Sequence, residues 1–191
     1  MRGLAFLYRL RALLSRGALH IASGTRLPLS SRIRWKNGRV SLGDKISVCE
    51  GVIIDAQKGS IEIGSNVSLN DYTIILGHGG VVIGNDVRIA AQVMIASFDH
   101  NYEDPETPIR LQGITTKPII IEDDVWIGSG AKILGGSHVA KGCVIAANAV
   151  IKGETVPFGV YGGIPARLLK MRGEDEQSDA AKPKMALVTH K

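Results

Sequence analysis

The sequence predicts an all-β fold, a solenoid of short parallel strands wound on a six-residue repeat. One observation is the beat itself: Ile121, Ile127, Ile133, Val139, Ile145 and Ile151 stand six residues apart without a miss. The same spacing runs upstream as Leu42, Val48, Ile54, then Ile63, Leu69, Ile75, then Ile83, Ile89, Ile95. A second is the residue four places after each member of the long run. Val125, Ala131, Ser137, Cys143, Ala149 and Thr155 are all small or β-branched. A third is composition, since 23 glycines with only 5% aromatics suit tight turns and thin aliphatic layers better than a helical bundle. An α-helix cannot keep this beat on one face, because six residues turn through about 600° and leave successive members about 120° out of register.

Residues 1–39 open the chain as a basic arm, helical in part. Leu4, Leu7, Leu10 and Leu14 recur at helical spacing, with Arg2, Arg9 and Arg16 among them. Nine of the 23 Lys and Arg precede the first acid, Asp44, so the rest of the chain sets 14 cations against 18 acids. A basic segment on a mildly acidic body points to one local anionic contact and away from a protein-wide nucleic-acid surface. Two roles are open to the arm: a cap on the open end of the solenoid core, or contact of residues 1–25 with a membrane surface or a lipid-linked saccharide.

Residues 40–163 carry the coils. Each set of three aliphatics supplies three short strands, which together make one turn of a triangular prism about 18 residues around. Extra residues at 57–60 and 77–80 bulge outwards at corners without disturbing the aliphatic column. The one large interruption, the loop 97–118, is far more polar and proline-rich than the coils around it. Long ordered loops on rigid scaffolds carry function, and His100 is this loop's one histidine, at the point where the coil breaks. Pro165 and Gly173 act as start and stop signals and predict a short C-terminal helix over 164–173. The polar, patternless stretch 174–191 reads as a flexible tail.

At 191 residues and 45% hydrophobic content the chain makes one well-cored domain with tails. Cys49 and Cys143 form neither a CxxC pair nor a disulfide framework, which favours a reducing compartment. With no apolar run of about 20 residues and no clean signal core, the expected location is cytoplasmic, or peripheral at the inner membrane through the arm.

The runs Ile63-Gly64-Ser65-Asn66-Val67, Ile83-Gly84-Asn85-Asp86-Val87 and Val125-Trp126-Ile127-Gly128 resemble the hexapeptide-repeat acyltransferases. The likeness covers residues 40–172 and is greatest to the sugar O-acetyltransferase branch, which includes maltose, galactoside and exopolysaccharide acetyltransferases. It implies a left-handed parallel β-helix and a homotrimer. It also implies an acetyl-CoA donor, no required metal, and transfer to a hydroxyl of a sugar or surface-polysaccharide precursor. N-acetyl or longer-chain acyl transfer to a nucleotide sugar is an alternative on the same fold. A non-catalytic assembly subunit is another. The run Gly163-Ile164-Pro165-Ala166 matches the motif that ends the family's β-helix.

Acetyl transfer from a thioester to an alcohol needs a base for the hydroxyl proton and a donor for the oxyanion. Imidazole suits the first task. The resemblance makes His100 the general base. Asp99, its neighbour, would point to the opposite face of a strand, so Glu103, Asp104 or a backbone carbonyl are better orienters. The histidines at 78 and 138 read as ordinary solvent positions. For the acceptor, the resemblance implies Asn70, Asp71 and Tyr72, and Asp99 is a further acceptor-binding candidate. Tyr72 departs from the second asparagine of galactoside-type enzymes, and Asn70 and Asp71 could equally cap a corner turn. For the donor it implies Trp126, Gly128, Ser129, Ala147, Lys152 and Arg167, the last two facing phosphates and the backbone near Ser129 or Ala147 reaching the thioester oxygen. Trp126 reads as a packing residue beside the loop.

Overall fold

A strand of two to four residues cannot bury a core alone, so each must stack on the equivalent strand one turn away. The computed structural model describes residues 18–174 together with Leu7, Tyr8, Leu10 and Leu14. Its strands form three parallel sheets, one per prism face. The first face stacks Leu19–Ile21, Arg39–Leu42, Ser60–Ile63, Val81–Ile83, Ile119–Ile121 and His138–Val139. The second stacks Ser47–Val48, Ser68–Leu69, Arg88–Ile89, Trp126–Ile127, Val144–Ile145 and Gly159–Gly163. The third stacks Arg32–Arg34, Ile53–Asp55, Ile74–Leu76, Met94–Ala96, Lys132–Leu134 and Val150–Ile151.

The six-residue beat becomes a set of in-register columns. On the third face Ile33, Ile54, Ile75, Ile95, Ile133 and Ile151 pair one above another, and all are buried. Burying each such side chain stabilises by about 1.5–3 kcal/mol, and the column continues through every coil. The corners turn through residues in the left-handed region, with Asn66, Asp86, Asp124 and Asn148 at φ between 57° and 60°. Asn and Asp tolerate that region better than other side chains.

Two expectations are corrected. The coils begin at Leu19, not at residue 40: Leu19–Ile21 pairs with Arg39–Leu42, and Arg32–Arg34 with Ile53–Asp55. Ile21, Leu27 and Ile33 face inwards there, on the same six-residue spacing. At the other end the expected helix is a strand. Ala166–Met171 turns back at Ile164–Pro165 and pairs antiparallel with Gly159–Gly163. The last coil otherwise ends in an open row of backbone N–H and C=O groups, and the returning strand satisfies them. Arg172 fastens its end to Asp124 at 2.8 Å.

Of residues 1–17, the four described ones are helical. Tyr8 is buried, and its hydroxyl accepts a bond from the Ile33 N–H at 3.0 Å, so the arm caps the first coil there. Leu4, Arg2, Arg9, Arg16 and the tail beyond 174 lie outside the described residues.

Candidate active site

The loop leaves the prism at the edge between its third and first faces, and its root is fixed by a serine. Ser97 is fully buried; its hydroxyl donates to Leu76 O (3.0 Å) and accepts from Gly79 N (2.9 Å). Beyond it Phe98–His100 pairs antiparallel with Ile114–Thr116, and Lys117 N donates to Ser97 O at 3.0 Å to close the neck. Between the two strands lies a turn of helix, Ile109–Gln112. Gln112 ties the loop together: its amide donates to Asp104 O (2.8 Å) and Thr107 O (2.6 Å) and accepts from Asp104 N (3.1 Å). Asn101 donates to Gln112 O (3.0 Å) and accepts from the Thr115 hydroxyl (2.7 Å). Bonds from the Thr107 hydroxyl and the Glu106 amide hold the Asp104 carboxyl below its ordinary range.

A groove of ≈ 320 Å³ opens beneath the loop, and His100, Tyr102, Glu103, Lys117, Leu134 and Lys152 are among its lining residues. Two larger clefts at the first coils contain neither loop residues nor a histidine. Asp99 also borders the loop groove, one residue out of phase with His100 in the same strand. Glu103 accepts a bond from Tyr102 N (3.0 Å), and Asp104 one from Glu106 N (2.9 Å). Among the described residues the His100 imidazole has no hydrogen-bond partner; its neighbour is the Phe98 ring, edge-on at 6.1 Å. Lys117 escaped the sequence reading, since only its place at the loop's return marks it.

The other candidates stand elsewhere on the prism. Asn70, Asp71, Tyr72, Gly128, Ser129 and Ala147 lie at the edge between the second and third faces. Asn70 donates to Ile89 O (2.7 Å), and the Asp71 carboxylate accepts from Glu50 N (2.9 Å), as corner caps do. Tyr72 sits at φ 59° with its ring over Gly51, where an added Cβ would come within 2.5 Å of it. Gly128 is buried, and a Cβ there would be 2.6 Å from Ala147 N. Glycine therefore leaves that amide uncovered. Among the described residues the N–H groups of Ala91, Ser129 and Ala147 have no partner in the chain, a row of donors along one edge. Only Lys152 of the donor set shares the groove with His100.

Trp126 projects from the second face, 55% exposed, because its strand partner Ile127 takes the inward position. It does not pack beside the loop of its own chain, which departs from a different edge. Arg167 lies exposed on the returning strand, opposite Gly162. Two histidines also depart from expectation. His78 is half-buried with its ring 4.1 Å from that of Phe98, and His138 Nε2 meets Glu122 Oε1 at 2.7 Å. The His138 contact, with a bond from Lys141 N, holds the Glu122 carboxyl below its ordinary range.

Comparison with known proteins bears on this arrangement. The family model for bacterial transferase hexapeptide repeats matches residues 118–153. Escherichia coli K12 WbbJ, named for O-acetyl transfer in lipopolysaccharide biosynthesis, is 30% identical over 70% of this chain and 72% of its own length. A Mycobacterium tuberculosis protein named as an acetyltransferase is 30% identical over 88% of this chain, which spans 55% of that protein's length. An Escherichia coli dTDP-4-amino-4,6-dideoxy-D-glucose acyltransferase is 27% identical over 71% of this chain and 73% of its own length. Among solved structures, a variant of the Bacillus cereus N-acyltransferase AntD, in complex with dTDP-4-amino-4,6-dideoxyglucose and coenzyme A, superposes with TM-score 0.73 at 19% identity, covering 86% and 89% of the two chains. That likeness concerns the fold. A Vibrio cholerae hexapeptide-repeat acetyltransferase complexed with acetyl-coenzyme A gives TM-score 0.56 at 25% identity over 76% and 72%. Stacked six-residue coils, an interrupting loop that carries one histidine, and a relative matched over most of both lengths together place this chain in the hexapeptide-repeat acyltransferase family.

Proposed function

We propose that the protein is an acetyl-CoA-dependent O-acetyltransferase whose acceptor is a sugar or surface-polysaccharide precursor. The observation that carries this reading is the groove that sets His100 beside Lys117 and Lys152. His100 takes the proton of the acceptor hydroxyl as its oxygen attacks the thioester carbon. The C–S bond then breaks, the acetyl ester forms, and the proton passes to the departing CoA thiolate. Lysines at the groove and Arg167 suit the phosphates of the donor. The unpaired N–H groups of Ser129 and Ala147 suit the pantetheine arm or the thioester oxygen. No step needs a metal.

The candidates divide between two edges of the prism, so one chain does not gather them into one site. A trimer in which one protomer's loop meets another's second-to-third edge would do so. Transfer to an amine of a nucleotide sugar is a second reading, supported by the relative named for dTDP-4-amino-4,6-dideoxy-D-glucose. Incubating the protein with acetyl-CoA and a panel of sugars, nucleotide sugars and amino sugars separates the two by the product's mass and its lability to mild base.

The same reading holds the enzyme in the cytoplasm, at the inner membrane surface, through residues 1–25. Leu7, Leu10 and Leu14 are exposed even though Tyr8 is anchored, and no acid precedes Asp44. An apolar stripe with a basic surround suits an anionic lipid surface or a lipid-linked saccharide. Deleting residues 1–17, which spares the strand Leu19–Ile21, should abolish co-sedimentation with anionic liposomes; unchanged binding would count against it.

A further inference from the structure

We infer that His78 is a positioning residue for His100 and acts through the Phe98 ring; the inference rests on His100 being the base. Among the described residues none hydrogen-bonds the His100 imidazole, and the carboxylates of Glu103 and Asp104 are engaged within the loop. What remains to orient it is aromatic contact. His78 lies 4.1 Å from Phe98 with the rings tilted by 37°, and Phe98 meets His100 edge-on at 6.1 Å and 73°. Phe98 and His100 are two apart in one strand and so share a face. The three rings form a row that runs from the coil below to the base.

The corner that carries His78 is built against the root of the loop. Gly79 N donates to the Ser97 hydroxyl (2.9 Å), and Ile119 N donates to Gly80 O (3.1 Å), so the corner is bonded to both ends of the insertion. A Cβ on Gly79 would lie 2.5 Å from Ser97 O and 2.8 Å from Lys117 N, which would push the neck apart. Corner 77–80 thus fixes where the loop starts, and His78 fixes how its first strand is turned. His78 Nδ1 is buried with no partner among the described residues. A buried polar atom left unpaired is a cost, so this ring is held by its face and not by its nitrogen. The aromatic surface should therefore be the property that matters.

The experiment compares His78→Ala, His78→Phe and Phe98→Leu in the full chain. The first readout is the carbon-bound proton resonances of the His100 ring, assigned by their disappearance in His100→Ala. Alanine at 78 and leucine at 98 should each displace or broaden these resonances, and phenylalanine at 78 should restore them. The second readout is acetyl transfer. His78→Ala should lower kcat about ten- to a hundredfold, with KM for acetyl-CoA within about threefold of wild type. His78→Phe should recover most of that loss. Unmoved His100 resonances in His78→Ala would overturn the inference, as would a phenylalanine variant as impaired as the alanine one. If no acceptor is turned over by the wild type, the acetyl-transfer reading falls, while the resonances still decide the role of His78.

Discussion

His100 stands exposed at the lip of the loop groove, held by no hydrogen bond among the described residues. A side chain so placed contributes little to folding, which makes His100→Ala a clean test of chemistry. Loss of a positioned base costs about 10²–10⁴ in kcat, and circular-dichroism melts should agree with wild type within about 2 °C. Glu122 offers a test of sign. Its folded-state pKa is depressed by His138, so the pair contributes stability above the unfolded-state value and loses it as pH falls through the folded-state one. Glu122→Gln should therefore destabilise by at most about 1 kcal/mol near neutral pH, the pair being open to solvent screening, and the gap to wild type should close in acid. Denaturant melts across pH would check it. At this scale the sequence announced the inward aliphatics and the place of His100 in the interrupting loop, because periodicity and its interruption are both visible in one dimension. It could not announce Tyr72 at φ 59° over Gly51, or His78 against Phe98, since those contacts join residues about 20 apart and depend on which corners stack.

The loop is an element that stabilises itself. Gln112 makes three bonds across it, to Asp104 N, Asp104 O and Thr107 O. Gln112→Ala should leave the coils intact, speed proteolysis between 103 and 111, and lower kcat about tenfold as the base loses its fixed place. Limited digestion beside a thermal melt separates the two effects. Coils whose aliphatics repeat cleanly were legible from Leu42 onwards. The first coil was not, although Ile21, Leu27 and Ile33 keep the beat, because the nine cations before Asp44 set the stretch apart as an arm. The C-terminal segment misled for another reason. Pro165 and Gly173 are fair helix punctuation, but the open edge of the strand Gly159–Gly163 offered more hydrogen bonds than one isolated turn of helix could make.

Across the whole molecule, the prism keeps the candidate groups on separate edges, with His100 and Lys152 on one and Ser129 and Ala147 on another. A site shared between protomers predicts complementation. His100→Ala and Ala147→Trp should each be nearly inactive, and trimers that contain both chains should regain about a third of wild-type activity, since one of the three interfaces in a mixed trimer pairs an intact loop with an intact edge. Co-expression with two affinity tags would check this. The central claim is acetyl transfer with His100 as base, and mass spectrometry tests it most directly. Wild type and His100→Ala are incubated with acetyl-CoA and a panel of sugars and nucleotide sugars. One acetylated product that forms with wild type and at least a hundredfold more slowly with the variant is the predicted result. Equal rates for the two proteins would contradict it, as would the absence of product across the panel.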